Sequence, residues 1–343
     1  MSGRLELRRG LVVSSDPLLV EVEGERRPAW ADEVLLGEMR EGDEVVVNVA
    51  AVDLGLGSGG FDVVHVNLTR GMGGDGRDGG AHVMKLNYTS LQHPVEPVEG
   101  NSNGAAIPVA VLPLHGHLAP AAWAAAQAAP GLRVGYVQTA GGALPGSLSR
   151  DVSQLKERDL LAGHITAAPA YGGEHEATSS VGALDAASSL GWDAVLVGPG
   201  PGIIGSNTEF GHGGMAALES AHAALSLRRP TILSPRLSSS DPRERHLHLS
   251  HHTFTVLELL LGEVDVAAPA VELPGAPEAL RYLGEAAGER HRLHAVSVDL
   301  DAYAATGLPT RTMGRSLDDD PLFFAAPLAA GTLLARSLAP QGL

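Results

Sequence analysis

From residue 107 onward the chain alternates short apolar runs with helix-length segments, and this alternation restricts the fold more than any other feature. The runs fall at 107–112, 132–137, 164–168, 193–197 and 231–233, and the intervening segments at 118–129, 146–161, 177–190 and 213–227. Strand-helix-strand repetition builds right-handed crossovers and a parallel sheet. Such strands are buried on both faces, so they read as continuous apolar runs and not as alternating ones. The expected fold class is therefore α/β, a Rossmann-like doubly wound parallel sheet of about five strands. A further strand is expected at 295–299. Asp320-Pro321 should open a late helix, with Asp as N-cap and Pro at the first position.

The first 70 residues follow another rhythm. Runs at 11–13, 18–22 and 44–49 are separated by turn signals such as Asp16-Pro17 and Glu41-Gly42-Asp43. Residues 61–68 continue the pattern, with Phe61, Val63 and His65 expected on one face. The spacing predicts a small antiparallel β-barrel at 1–93, closed by a strand at 82–88, with a flexible glycine-rich loop at 71–80. A Pro/Gly-broken linker at 94–105 then leads to the α/β domain at 106–343 with its C-terminal helical extension.

Composition excludes several classes of function. The net charge is −16 and Lys85 and Lys156 are the only lysines, so nucleic acid and anionic membrane surfaces are poor partners. With no cysteine, disulfides, thiolate ligands and a cysteine nucleophile are ruled out. No signal peptide is visible at the N-terminus, and the apolar stretch at 322–338 is broken by Pro327, Gly331 and Arg336, so a cytoplasmic protein is expected. Arginine in place of lysine, with abundant Ala and Gly, looks like the product of a GC-rich bacterial genome. The apolar stretches at 119–129 and 323–338 suggest a homo-oligomer.

Ligands of open parallel sheets bind beyond the carboxyl ends of the strands, so the post-strand loops supply the candidates. They hold His115 and His117, then Thr139, Gly141 and Gly142, then Glu174, His175 and Glu176. The loop at 198–214 adds Gly200, Gly202, Gly205, Ser206, Asn207, Thr208 and His212. Its backbone N–H groups, with those of Thr139, Gly141 and Gly142, are candidates for cradling an anion. It is no Walker A sequence, and it lies at the fourth strand, so a nicotinamide dinucleotide is not expected. Ser147 and Ser149 read as helix caps before nucleophiles, since no Gly-x-Ser-x-Gly elbow is present.

The densest chemistry follows the fifth run. Residues 241–253 place four histidines within seven positions, beside Arg243, Arg245, Asp241 and Glu244. Asp241, Pro242 and Glu244 fit a capping box. A helix starting there would put Glu244, His248, His251 and His252 near one face, with His248 and His252 at the i, i+4 spacing of helical metal ligation. His246, His251 and His252 are the candidate metal ligands. The cofactor stays open, with a divalent metal as candidate. Catalytic candidates are His251, His252, His115, Asp241 and Glu174, and Arg236, Arg243 and Arg245 would clamp an anion. Acid–base, anion-binding and structural roles for the histidines stay open beside metal ligation.

The run Arg236-x-Ser238-x-x-Asp241-x-Arg243-x-Arg245-His246, ending in Ser250-His251-His252-Thr253, resembles the signature of bacterial domain-of-unknown-function family 3866. Gly142-Ala143-Leu144-Pro145, His82-x-Met84-Lys85-Leu86 and Met313-Gly314-Arg315 are similar to other parts of it. The resemblance implies no activity. From the residues, one expectation is an enzyme performing metal- or histidine-assisted hydrolysis or group transfer on a small anionic or phosphorylated metabolite. The alternative is a non-catalytic ligand sensor or scaffold whose barrel contacts a protein partner.

Overall fold

The computed structural model describes residues 4–56, 59–72, 80–101, 104, 106–206 and 208–338. It divides into two compact units, Met1–Pro94 and Val95–Leu343. The expected glycine-rich loop lies for the most part outside the described residues, as does Asn207.

The first unit is a closed five-stranded barrel. Its strands are β1 (Leu7–Ser15), β2 (Leu18–Val22), β3 (Glu25–Trp30), β4 (Glu44–Asn48) and β5 (Asp62–Asn67), in the order β1-β2-β3-β5-β4. Short helices α1 (Glu33–Leu36) and α2 (Ala50–Asp53) lie between strands. β3 and β5 pair in parallel and the other pairs are antiparallel, including β1 with β4, which closes the ring. Alternate valines, Val20 with Val22 and Val45 with Val47, fill the interior. On β5 the inward face carries Asp62 and Val64, so the face that Phe61, Val63 and His65 share is the outer one. Partners make this tolerable: Asp62 pairs with Arg27 at 2.7 Å, and Asn67 donates to Asp43 at 2.9 Å. The 82–88 segment does not close the barrel. Its strand β6 (Val83–Lys85) pairs with β7 (His93–Val95) in a separate ribbon.

The second unit holds an eight-stranded parallel sheet, three strands more than the apolar runs suggested. The five runs form β8 (Val109–Val111), β9 (Val134–Thr139), β10 (Gly163–Ala167), β12 (Ala194–Pro199) and β13 (Thr231–Leu233). The additions are β11 (His175–Ala177), β16 (Asp265–Ala270) and β17 (Arg292–Ser297), whose N-terminal part precedes the expected strand. Two small strands, β14 (Leu237–Ser238) and β15 (His248–Leu249), pair outside the sheet. The order is β11-β10-β9-β12-β8-β13-β16-β17. Because β12 inserts between β8 and β9, this is not the strand order of the dinucleotide fold. Beyond β11, the Val98 N–H donates to Glu176 O at 2.7 Å, so part of the expected linker lies on the sheet edge.

Side chains alternate between two cores, one on each face. Ala110, Tyr136 and Leu196 point to the face covered by α3 (Leu118–Ala128) and α4 (Arg150–Glu157). Val109, Val137, Val195 and Val197 point to the face covered by α5 (Ser180–Ser189), α6 (Ala216–Ser226), α7 (His251–Leu259) and α8 (Ala276–Ala287). After α9 (Leu300–Ala304), α10 (Pro321–Arg336) returns to the first face and buries its length against α3. The apolar stretches that suggested self-association thus cover each other. Asp320 does occupy the N-cap position of α10, but its carboxylate does not cap. It accepts from Ser238 Oγ at 2.6 Å and from Ser239 N at 2.9 Å instead.

The helix expected from Asp241 is absent. Asp241 is buried, its N–H donates to Ser238 Oγ, and Arg243 is extended, so only a single 3₁₀ turn, Glu244–His246, forms. His248 follows in the left-handed region at φ 61°. The helix starts only at His251, with Ser250 as N-cap. His248 and His252 therefore do not share a helix, and the expected i, i+4 geometry of helical ligation does not form.

Candidate functional site

Four histidine rings meet where the loops after β12 and β13 converge. The hairpin of β14 and β15 brings residues 236 and 250 together: Ser250 N donates to Arg236 O at 3.0 Å, and Arg236 N to Thr253 Oγ1 at 2.8 Å. The Ser250 hydroxyl accepts the His252 N–H at 3.3 Å and lies 2.8 Å from His246 Nδ1. One capping serine thus begins α7, orients His246 and sets His251 and His252 in the first turn.

His212 arrives from the other loop. Gly205 and His212 bridge the ends of a tight turn, inside which Ser206 and Thr208 bond each other at 2.8 Å and Ser206 N donates to Gly211 O at 2.6 Å. His212 then stacks on His252, with ring centroids 3.7 Å apart and planes 8° apart. His251 meets His252 edge-on at 4.4 Å, and His246 lies 4.9 Å from His252 and 5.1 Å from His251. Gly214 makes this closeness possible, since a Cβ there would sit 2.8 Å from His252 Nδ1 and 2.9 Å from His212 Nδ1.

His212, His251 and His252 each present a ring nitrogen within 4.8 Å of the others. Both nitrogens of His212, Nδ1 of His252 and Nε2 of His251 are buried without a hydrogen-bond partner. Burial drives the pKa values down, helped by neighbouring rings and arginines: His251 to about 4, His246 to about 3 and His252 to about 2. His212 is lowered by the same cause. The Glu209 backbone, close to its ring but outside ordinary hydrogen-bond geometry, opposes part of that shift. Neutral imidazoles with buried, unused lone pairs are the donor set of zinc and its borderline neighbours. Two ligands on one tetrahedral ion stand about 3.4 Å apart, given metal–nitrogen bonds of about 2.1 Å. The stacked planes of His212 and His252 would therefore have to rotate for both to reach a single ion.

Behind the rings lies a compact ionic lattice. Asp241 is gripped by Arg243 through two bonds, at 2.9 and 2.8 Å, and lies 3.0 Å from Arg315 and 3.5 Å from Arg236. Arg315 also donates to Asp320 at 3.1 Å. Burial works to raise the Asp241 pKa, but the bonds from Arg243 and the charges of Arg243 and Arg315 outweigh it and hold the carboxylate below its usual range. Burial, then Arg243, lowers Arg236 to about 10, and its Nε has no partner. Arg243 thus neutralises Asp241 through a two-pronged contact.

The remaining candidates lie elsewhere. His115 bonds Ser149 Oγ at 2.7 Å and lies 3.5 Å from the Tyr136 hydroxyl. Asp151 approaches the same Nε2, at 3.8 Å, so Ser149, His115 and Asp151 do not form a relay through opposite ring nitrogens. Ser149 caps α4, accepting from Val152 N at 3.1 Å. His117 bonds Ser234 at 2.9 Å. Glu174 pairs with Lys156 at 2.6 Å on the surface, and Glu176 takes the Gly172 N–H at 2.6 Å. Thr139 Oγ1 reaches Ala140 O at 3.4 Å. Gly141 lies against Gly213, and Gly142 against Gly200, with no room for a side chain on either. Gly202, at φ 72°, turns the same loop. These glycines lace the two loops together.

Fold and site together define an α/β protein with a histidine-rich centre at the carboxyl ends of its strands. The chain belongs to the family described as protein of unknown function (DUF3866), whose family model matches residues 29–331. No curated protein and no solved structure matches it. No helix among the described residues is long and apolar enough to cross a membrane.

Proposed function

We propose that the protein is a metal-dependent enzyme that hydrolyses or transfers a group on a small anionic or phosphorylated metabolite. The observation that carries this reading is the convergence of His212, His251 and His252, from two separate loops, into one buried set of unpartnered ring nitrogens. Three histidines leave a coordination position for water or substrate, as catalytic sites require. A bound divalent ion would supply Lewis acidity and a water of lowered pKa. Arg236 and Arg245 both raise the local positive potential, lowering the pKa of His251. That field disfavours a bare cation but suits one that arrives with an anion. Ser250 keeps His246 oriented beside the ligands.

The test is metal content and turnover of untagged protein purified without chelator. About one zinc-class ion per chain is expected, lost in His212→Ala and His252→Ala together with any p-nitrophenyl phosphate hydrolysis. Protein that holds no metal, and gains no thermal stability from zinc, cobalt or nickel, would overturn the reading.

Self-association or a protein contact through the barrel is compatible with this proposal. Val34, Leu54 and Leu56 of the first unit are 80%, 68% and 62% exposed. A Leu54→Glu/Leu56→Glu variant should then run at a smaller mass in light scattering than the wild type; equal masses would argue against self-association there.

A further inference from the structure

The histidine centre shares His251 with an open cleft of about 520 Å³ whose walls include Arg245, Phe254, Tyr282, Glu244 and Glu285. That volume falls within the range of small-ligand sites. In a chain with 4% aromatic residues, Phe254 and Tyr282 are left 48% and 41% exposed on the same cleft. Water-facing rings forgo the gain of burial, and a planar ligand ring would restore it by stacking.

The aromatic wall is set in advance. The Arg281 guanidinium lies 4.1 Å over the Tyr282 ring and bonds Glu285 at 2.5 Å. Phe254 is three residues past His251 on α7, so the two share a helix face. A ring lying on Phe254 would therefore lie beside His251. Glu244 and Glu285 can only accept hydrogen bonds when ionised, so they select a ring with N–H or O–H donors. Glu244 also repels a second anionic group, which leaves the Arg245 and His251 side for the charged end.

We infer that this cleft is the substrate pocket of the histidine centre and takes a planar, hydrogen-bond-donating ring joined to an anionic group, as in a nucleoside monophosphate. The inference rests on the catalytic reading proposed above. It is tested by titrating the zinc-loaded, full-length protein calorimetrically with adenosine and guanosine 5′-monophosphates, against ribose 5-phosphate. One stacked base corresponds to on the order of tenfold in affinity. At least one nucleotide should exceed ribose 5-phosphate by that factor. Phe254→Ala and Tyr282→Leu should remove the difference while leaving zinc binding unchanged, and Phe254→Tyr should restore it. If zinc binds but neither nucleotide exceeds ribose 5-phosphate, or the preference survives both variants, the inference fails and the metal reading stands. If zinc does not bind but nucleotides do, through Phe254 and Tyr282, the ring pocket stands and the metal reading fails.

Discussion

Gly214 sits where two imidazoles and a backbone compete for the same space. A methyl group there would lie within 3 Å of both Nδ1 atoms, and the rings are already stacked at 3.7 Å. Gly214→Ala should therefore spread His212 from His252. Overpacking of this kind costs about 1–3 kcal/mol. The expected outcome is a protein that still folds, melts a few degrees lower and binds zinc at least tenfold more weakly in calorimetry. Unchanged zinc affinity would show that the close approach of the two rings, which Gly214 permits, is not needed for binding. At this scale the sequence was informative about identity but not about grouping. His246, His251 and His252 are prominent in the 241–253 run, and His212 stands at the end of a glycine-rich loop. Nothing in the spacing between 212 and 251 reveals that they touch, because a loop closure between two strands decides it. Arg243, a candidate for clamping a ligand, grips Asp241, a pairing that the burial of that carboxylate makes necessary and that no spacing reveals.

Element by element, the central strands were legible because burial on both faces demands unbroken apolar runs, as at 193–197. The edge strands were less so: β11 falls in an expected loop, and β17 was expected only from residue 295. β17 is largely exposed and carries Arg292 and His294, which bond Asp265 of the neighbouring strand at 2.8 and 2.6 Å. Its signal is a cross-strand charge pattern, not an apolar run. The helix expected from Asp241 shows a local rule overridden: the capping-box letters are present, but the carboxylate serves three arginines and not a helix end. Helices α3 and α10 show the opposite case, in which small residues permit a close crossing. A Cβ at Gly331 would overlap the Ala121 carbonyl oxygen, which is backbone and cannot yield. Gly331→Ala should accordingly force the two helices apart, although alanine is the better helix former. A loss of about 2 kcal/mol or more in urea unfolding is expected; a gain would mean that the crossing is looser than described.

Across the whole molecule, the sheet buries imidazoles other than the candidate ligands as well. Burial, aided by nearby positive charge, brings His117 and His164 to about 3, well below the ordinary value of 6.5. The unfolded chain then binds protons that the folded one refuses. Stability is fully present above about pH 6.5 and falls as pH drops toward the folded values, by up to about 1.4 kcal/mol per pH unit for each such ring. Asp241 adds its loss only below about pH 4, because a carboxylate held low contributes until it is protonated. Metal-free protein should show a urea midpoint falling steadily from pH 6.5 to 5, and His164→Phe, which keeps the stack on Tyr136, should make that slope shallower. A flat profile would show these rings to be hydrated. By itself, the sequence determined the layer architecture: apolar periodicity separates a barrel from a parallel α/β sheet, and that periodicity is a local property of neighbouring residues. It also pointed to the loops in which the histidines meet, since those loops follow the strands. Tertiary structure alone decided that β12 inserts between β8 and β9, that His212 joins His251 and His252, and that the two apolar stretches bury each other. Each of these depends on contacts between residues distant in the chain, whose energies come from exclusion of water and close packing and leave no fixed spacing to read.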